Sequence, residues 1–406
     1  MTHRALAEQL SGLDPADQQY ASQFIDLMIA WARERGASDI HLQPTADGLE
    51  ARFRVDGVLN TLGTFAAGDS TNIVTRLKVM AELLTYRSDV PQEGRLRVSD
   101  ETVEVRVSTF PTIFGEKAVV RLFQSSARFN YLADLDLPAD VLVRLRQLLA
   151  ETSGAILITG PAGSGKTTTL YACLREMVRT SGSARSIAAL EDPVEVVVEG
   201  VSQSQVNPAA GFDLAQGMRS IMRQDPQVIM IGEMRDRPTA EAALQASLTG
   251  QLVLTSFHAG NAAGAISRLT DMGIEPYAIR SGVLAVISQR LVRRLCECKR
   301  LAQGPEELLA LPVRQAQTPV GCELCLGSGY RGRAVLAEMM LLDEPPIARE
   351  ILARSGAAGL EQAAVAGGMI GLWERALAAV EGGVTSPAEV RRVMGFGSDP
   401  HPRAST

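Results

Sequence analysis

Residues 160–167 read Gly160-Pro161-Ala162-Gly163-Ser164-Gly165-Lys166-Thr167. This order has the G-x-x-x-x-G-K-[ST] spacing of a phosphate-binding loop, and it lies between an apolar run at 155–159 and a segment typical of a helix start. The glycines let backbone N–H groups curl around a phosphate, and the helix N-terminus adds positive potential. Lys166 can reach the β- and γ-phosphates, Thr167 can hold Mg²⁺ through its hydroxyl, and Thr168 follows in the first helical turn. The stretch therefore predicts a nucleoside-triphosphate site in an α/β domain.

The composition is that of an ordinary globular protein. The chain has 406 residues, of which 46% are hydrophobic and 21% charged, and this length predicts two or three domains. A net charge of −6 argues against a protein built for nonspecific nucleic-acid binding, so we expect no direct nucleic-acid contact. The N-terminus lacks the apolar core of a signal peptide, and the most apolar stretch, 278–292, is interrupted by charged residues. These patterns predict a cytoplasmic protein without a transmembrane segment, which can still sit at a membrane through a partner.

Hydrophobic periodicity divides the chain into two domains. Residues 1–125 are expected to form a small α+β domain with a short leading tail at 1–20, and 126–137 form a linker. The predicted elements of this domain are helices over 14–35, begun by Asp14-Pro15, and 69–86, with strands at 38–43, 49–55, 58–62, 95–99, 102–110 and 116–123. The second domain is expected to span 138–406.

The second domain has the pattern of a parallel sheet with helices on both faces. Strands predicted at 155–159, 186–190, 228–231 and 251–255 alternate with helices. The segment 293–333 carries four cysteines, and 345–406 is predicted to be helical. A basic cluster at 290–294 is interpreted as a subunit contact or a solvated face.

Two carboxylates follow buried strands, where hydrolysis of a nucleotide would need them. Glu191 comes after the second strand and Glu233 after the third, so both are delivered to the carboxyl edge of the sheet. We predict Glu233 as the general base and Glu191 as a magnesium or water contact. The alternative for each is a helix cap or a surface acid.

A histidine follows the fourth strand. His258 is one of only four histidines, and its position predicts a contact to the γ-phosphate through Nε2. The alternative is a hydrogen-bonded histidine with a structural role.

Four of the five cysteines form two pairs, Cys296 with Cys298 and Cys322 with Cys325. Paired cysteines in a cytosolic protein favour a metal over a disulfide, and four sulfur ligands suit tetrahedral zinc. Cys322 and Cys325 have the preferred two-residue spacing, whereas the first pair is one residue short. The prediction is a structural zinc site, with reduced thiols as the alternative.

At this point the chain resembles the type II secretion and type IV pilus assembly ATPases, the secretion protein E family. In the second domain the matching motifs are Gly160–Thr169, Glu191-Asp192-Pro193, Arg223-Gln224-Asp225-Pro226, Gly232-Glu233-Met234-Arg235-Asp236, Thr249-Gly250 and His258. In the first domain they are Ser38-Asp39-Ile40-His41, Arg52-Phe53-Arg54-Val55-Asp56-Gly57, Gln92-Glu93-Gly94-Arg95, Arg106-Val107-Ser108-Thr109 and Gly115-Glu116-Lys117. The resemblance runs from about residue 20 to 345, and the four-cysteine segment resembles the zinc-binding insertion of the family.

The resemblance implies a homo-hexameric ring motor that hydrolyses ATP with Mg²⁺. The fold it implies is a RecA-like P-loop NTPase domain, preceded by a PAS-like α+β domain and carrying a zinc-binding insertion. Arginines of the first domain would reach the phosphates as arginine fingers, with Arg95, Arg106 and Arg121 as the matching residues. Roughly half of such arginines on strands are solvated-face residues. The partner implied is an inner-membrane platform protein, which would hold the motor at the inner face of the cytoplasmic membrane.

Two positions depart from the family pattern. The family usually has Asp at position 227 and His at position 251, where this chain has Gln227 and Gln251. These two glutamines keep open a second hypothesis, in which the protein is a weakly hydrolysing regulatory switch.

A third hypothesis is a DNA-uptake or conjugation motor of the same superfamily. The cysteine segment favours a role in assembly, since retraction motors of the family generally lack it.

Overall fold

The computed structural model describes residues 2–65, 70–96, 103–124 and 129–396. The chain divides into two compact units. One comprises residues 1–126 together with 321–332, and the other comprises 127–320 together with 333–406.

The first unit is built on an antiparallel sheet that has helices on one face. Its elements are α1 (His3–Ser11), α2 (Tyr20–Arg35), β1 (Asp39–Thr45), β2 (Gly48–Val55), β3 (Val58–Phe65), α3 (Ser70–Met80), β4 (Gln92–Leu96), β5 (Val103–Thr112) and β6 (Gly115–Gln124). The strand order is β3-β2-β1-β6-β5-β4, and each neighbouring pair is antiparallel. Alternate strand residues such as Ile40, Phe53 and Val107 are buried in one core with Phe24 and Leu77 of the helices. The opposite face of the sheet carries polar and charged side chains.

The start of this unit differs from the sequence-based prediction. The helix expected from residue 14 begins at Tyr20, because Asp14 and Asp17 accept hydrogen bonds from backbone N–H groups two residues ahead and so hold turns. The expected leading tail contains α1, whose Leu6 and Leu10 are buried in the core. Their i, i+4 spacing is a signal of this helix that the sequence-based prediction did not use.

Some predicted residues of this region lie outside the described ranges. The strand expected at 95–99 lies at Gln92–Leu96, and its residues 97–99 fall outside the description, as do residue 69, residue 102 and the linker residues 126–128.

The remaining chain alternates strands and helices around a second sheet. From residue 129 onward the elements are α4 (Ala139–Leu148), β7 (Gly154–Thr159), α5 (Lys166–Ser181), β8 (Ile187–Glu191), β9 (Ser202–Gln205), α6 (Leu214–Ile221), β10 (Val228–Ile231), α7 (Arg237–Leu248), β11 (Leu252–Phe257), α8 (Ala262–Asp271), α9 (Pro276–Gly282), β12 (Val283–Leu295), β13 (Arg300–Leu301), β14 (Gln317–Thr318), β15 (Tyr330–Leu341), α10 (Pro345–Leu352), α11 (Ala357–Ala366), α12 (Leu372–Glu381) and α13 (Pro387–Met394). The sheet order is β15-β12-β7-β11-β10-β8-β9, and β13 pairs with β14 separately.

Helices cover both faces of this sheet, as predicted. Within β7, Ala155 and Leu157 belong to one apolar core, which includes residues of α7 to α11. Ile156 and Ile158 belong to a second core, which includes residues of α4 and α5. Burial on both faces explains why the central strands read as continuous apolar runs.

The sheet is mixed, which corrects the expectation of a wholly parallel one. Strand β12 and strands β7 to β11 pair in parallel. Strand β15 runs antiparallel to β12, since Leu342 N–H donates to Leu284 O at one end and Arg294 Nε donates to Arg333 O near the other. The chain leaves β12, passes through the cysteine segment and returns beside the strand it left, which suits an antiparallel pair.

The apolar stretch at 278–292 is not a helix of membrane length. It forms the end of α9 and most of β12, and Val286, Ile287 and Val292 are buried. Among the described residues, no helix combines the length and the apolar character needed to cross a membrane.

Candidate functional site

The predicted nucleotide-site residues meet at the carboxyl edge of the parallel strands. The phosphate loop follows β7, Glu191 ends β8, Glu233 follows β10 by two residues, and His258 follows β11 directly. The strand register aligns these ends: β10 pairs with β8 and β11 along its whole length, and β11 pairs with β7 up to their last residues. In doubly wound sheets this edge is where ligands bind.

The phosphate loop closes on its own lysine. Lys166 Nζ donates to Gly160 O at 2.9 Å and to Pro161 O at 3.0 Å. Gly160, Gly163 and Gly165 have φ values of 147°, 75° and 90°, a region that residues with a Cβ rarely adopt. These three glycines therefore have the conformational role that the phosphate-loop pattern requires. Burial lowers the pKa of Lys166, and the carboxylate of Glu233 acts against that shift.

The rest of the loop has a buried base and an exposed tip. Pro161 and Ala162 are exposed, whereas Ser164 is buried. Helix α5 begins at Lys166, so Thr167 and Thr168 lie in its first turn, where Thr167 is half-buried and Thr168 exposed. Free N–H groups at a helix start suit an anion, and the threonine hydroxyl next to the lysine suits Mg²⁺.

Lys166, Glu233 and His258 form one polar group. His258 Nε2 lies 2.6 Å from Glu233 Oε1, and His258 Nδ1 lies 3.5 Å from Lys166 Nζ. Arg235 Nε donates to the second oxygen of Glu233 at 2.5 Å. With Nε2 donating to the carboxylate, a neutral imidazole leaves Nδ1 to accept from the lysine. The chain thus brings a phosphate-binding cation, a carboxylate and an imidazole together at the loop.

Glu191 is more deeply buried than Glu233. Its side chain accepts from Tyr171 Oη at 2.5 Å and from Gln203 Nε2 at 2.8 Å, and the residue is 2% exposed. Burial raises the pKa of Glu191, and the two hydrogen bonds oppose that shift. A Cβ on Gly232 would lie 3.4 Å from Glu191 Cα, so the glutamate packs against the residue that precedes Glu233.

Sequence reasoning missed Tyr171 and Gln203 as partners of Glu191. Tyr171 is 3% exposed and lies on α5, one turn beyond Thr167, so the helix that starts at the phosphate loop also holds Glu191. A buried tyrosine hydroxyl needs a partner, and that rule was the available signal for Tyr171. Gln203 lies in the edge strand β9, and no local pattern marks it.

The three arginines of the first unit lie in one row. Arg95 pairs with Arg106, Arg106 with Arg121, and Arg121 with Asp39 across β4, β5, β6 and β1. The row lies on the face of the sheet opposite the helices, and Arg121 Nε donates to Asp39 Oδ1 at 2.9 Å. Although burial opposes ionisation, hydrogen bonds from Arg121 and Ser38 hold the pKa of Asp39 below its usual value. The sequence gives these arginines as separate candidates, and strand pairing places them side by side.

Part of the basic cluster at 290–294 makes contacts within the chain, so its interpretation as a solvated face is wrong for Arg293. Arg293 Nη2 lies 2.7 Å from Glu389, a carboxylate with no exposed side-chain surface. Arg294 Nη2 lies 2.7 Å from Asp136. These residues belong to β12, which the periodicity analysis did not separate from the cysteine segment.

Gln227 and Gln251 lie at the opposite edge of the sheet from the phosphate loop. Gln227 directly precedes β10 and Gln251 directly precedes β11, whereas Glu233 and His258 follow the far ends of these strands. The Gln227 side chain accepts from Ser186 N–H at 3.0 Å. The Gln251 side chain accepts from the Thr249 hydroxyl at 2.9 Å. Both departures from the family pattern are therefore a strand length away from the candidate catalytic group.

Restoring the family residues is expected to change ATP turnover little. We predict that Gln227→Asp and Gln251→His each keep kcat within about twofold of the unaltered protein, because both side chains are distant from Lys166. Steady-state phosphate release checks this. A rise of tenfold or more in either variant would show that these glutamines limit turnover and would revive the regulatory-switch hypothesis.

The four paired cysteines form a cluster. The Sγ atoms of Cys296, Cys298, Cys322 and Cys325 all lie within 4.8 Å of one another, and those of Cys322 and Cys325 are 3.7 Å apart. A tetrahedron of sulfurs at about 2.3 Å from zinc has edges of about 3.8 Å, so the cluster has the size of a zinc site. Backbone N–H groups of Cys322 and Gly329 donate to Cys325 Sγ at 3.1 and 3.2 Å, the kind of contact that orients a metal-ligating sulfur.

Known proteins resemble this chain over most of its length. A family model described as type II/IV secretion system protein matches residues 14–392. The type II secretion system ATPase E of Vibrio cholerae is 40% identical over 402 residues, which cover 96% of this chain and 79% of that protein. The type IV pilus assembly ATPase PilB of Thermus thermophilus is 37% identical over 385 residues, which cover 92% of this chain and 43% of that protein.

The fold has counterparts among solved structures. The X-ray structure of the Legionella pneumophila ATPase DotB matches with a TM-score of 0.68 at 22% identity, over 94% of this chain and 97% of that one. This structural match shows a shared fold, whereas the sequence matches show the family relationship. The chain belongs to the type II/IV secretion system protein family.

Proposed function

We propose that this chain is the ATP-hydrolysing motor that powers assembly of pilin-like or pseudopilin-like subunits for type II secretion or type IV pili. The chain is an ATPase of the type II secretion and type IV pilus assembly class. The observation that carries ATP hydrolysis in this chain is the contact group of Lys166, Glu233 and His258 beside the phosphate loop, and the assembly role is proposed from the names of the relatives. We assign the second unit to the RecA-like class from its sheet order and the family resemblance, and the first to the PAS-like class from the family resemblance.

In this proposal the loop residues bind the phosphates of ATP. Backbone N–H groups of residues 162–168 and the ammonium of Lys166 would surround the phosphates, and Thr167 would hold Mg²⁺ with Glu191 as a contact to the ion or its water. Mg²⁺ held there would supply positive charge against the charge that develops on the phosphates. Tyr171 and Gln203 keep Glu191 in one orientation, since each donates to its carboxylate.

Glu233 serves as the general base. It accepts a proton from the attacking water, and His258 holds the carboxylate through Nε2 while its other nitrogen faces Lys166. The contact makes His258 suited to sense the γ-phosphate, because a ligand that draws Lys166 away changes the hydrogen bonding of the imidazole. The arginine row of Arg95, Arg106 and Arg121 supplies positive charge to the phosphates in the ring.

We further propose that the motor works as a homo-hexamer and docks on an inner-membrane platform protein, at the cytoplasmic face of the membrane. The domain bounds proposed from the sequence, 1–125, 126–137 and 138–406, assign the nucleotide site to the last of these. The four-cysteine cluster holds a structural zinc, and its presence favours assembly over retraction.

A subunit-mixing experiment tests the ring. We expect turnover per chain to rise steeply with protein concentration, and Lys166→Ala subunits mixed with unaltered ones to reduce phosphate release by more than their share of the mixture. Both results follow if a site is completed or triggered by a neighbour. Phosphate release that is independent of concentration and falls in proportion to the added variant would reject the coupled ring. Absence of any turnover would reject the motor.

A further inference from the structure

Two consecutive residues of β12 reach the two loops of the nucleotide site. The first is Gln289, which is fully buried although its side chain is an amide. Gln289 Nε2 donates to Ser164 O in the phosphate loop at 3.0 Å. A Cβ on Gly160 would lie 2.5 Å from Gln289 O, so the backbone of β12 also supports the start of the loop.

The second residue is Arg290, which holds the loop that carries His258. Its Nη2 donates to Gly260 O, and its Nη1 donates to Gln289 O at 3.1 Å. Gly260 follows His258 by two residues. Just beyond it, Ala262 N–H donates to the buried carboxylate of Glu338 at 2.8 Å. The loop between β11 and α8 is thus fixed at two successive points.

We propose that Gln289 and Arg290 are positioning residues that set the spacing between the phosphate loop and the His258 loop. Neighbouring side chains of a strand point to opposite faces of a sheet, so two consecutive residues can reach two different loops. Catalysis depends on such spacing, because displacements of about 1 Å at the reacting groups cost large factors in rate. The inference rests on the proposed nucleotide site and assigns two residues to it that sequence reasoning left aside.

The burial of Gln289 is hard to explain by stability alone. Within the part of the chain that the structure describes, Gln289 Oε1 has no hydrogen-bond partner, and Val286, Ile287 and Val292 of the same strand are apolar and buried. An amide with an unsatisfied oxygen is costly to bury, whereas an apolar residue of similar size fits such a core. The gain is the contact to Ser164, which an apolar residue cannot make.

The two residues are expected to affect different steps. Gln289 supports the loop that binds ATP, so Gln289→Met should raise the Kd of a fluorescent ATP analogue about tenfold, because a buried carbonyl loses its donor. Arg290 supports the loop of His258, so Arg290→Met should lower kcat about tenfold and leave that Kd within about twofold. The control is Ser288→Ala: Ser288 is fully buried beside Gln289, and its hydroxyl has no hydrogen-bond partner among the described residues. We expect Ser288→Ala to change neither quantity.

The measurements separate positioning from folding. Thermal unfolding without nucleotide is recorded for every variant, and Gln289→Leu serves as a second variant that removes the donor to the Ser164 carbonyl without burying a charge. A loss of affinity in both Gln289 variants, with the unfolding midpoint of at least one of them kept, supports the proposal. Unchanged affinity in a folded Gln289 variant, or equal effects of Ser288→Ala, overturns it. The binding measurement does not need hydrolysis, so failure of the motor proposal would leave the Gln289 part of this test intact.

Discussion

Glu233→Gln is expected to lower ATP turnover by about a thousandfold while ATP still binds, because a positioned general base contributes about 10²–10⁴ in rate. The amide has the shape of the carboxylate and keeps an oxygen that can accept from His258 Nε2, which lies 2.6 Å away. It can no longer take a proton from water. Steady-state phosphate release gives kcat, and a fluorescent ATP analogue gives the Kd.

A matched control lies on the next helix. Glu241 of α7 is exposed and pairs with Arg237 at 2.6 Å, so Glu241→Gln removes a carboxylate without touching the phosphate loop. We expect it to keep full turnover. If Glu233→Gln retains more than a tenth of the turnover, Glu233 is not the base. Loss of ATP binding in that variant would instead assign Glu233 a role in holding Lys166.

Replacing Cys322 and Cys325 by serine is expected to empty a metal site and to lower the thermal unfolding midpoint by several degrees. The purified protein should contain about one zinc per chain, since four sulfurs within 4.8 Å of one another match the needs of tetrahedral zinc. The double variant leaves two sulfur ligands and should hold little zinc. Structural zinc contributes about 10–16 kcal/mol in isolated zinc-finger peptides, and in this large domain we expect a smaller share of that stabilisation.

The fifth cysteine provides the control. Cys173 is fully buried in α5, and its thiol is kept protonated because burial raises its pKa. We expect Cys173→Ala to keep the zinc, whatever its effect on packing. Elemental analysis after dialysis measures the metal, and thermal unfolding measures stability. An unaltered protein that holds no metal would favour the alternative of reduced thiols.

Much of the fold could be predicted from the sequence, and the errors have local causes. The six strands of the first sheet and the four central strands of the second follow from alternation and from apolar runs. The start of the second helix was placed too early because turns held by Asp14 and Asp17 resemble a helix start. Strands β12 and β15 were missed because their pairing joins segments on either side of the cysteine segment, and no local pattern records that pairing.

The sequence by itself determined the chemistry that local spacing can carry. Glycines at 160, 163 and 165 permit positive φ, a lysine follows them, and acids and a histidine end apolar strands. Such features depend on backbone stereochemistry and on which residue follows a strand, both of which are written in consecutive residues. The family relationship also rests on these motifs.

Only the tertiary structure decided which residues support that chemistry. Gln289 reaches Ser164 across 125 positions of sequence, and Gln203 reaches Glu191 from an edge strand. The tertiary structure also placed Gln227 and Gln251 at the edge of the sheet away from the phosphate loop. The physical reason is that a supporting hydrogen bond needs two groups at about 3 Å in a buried setting, and packing between distant segments determines that distance.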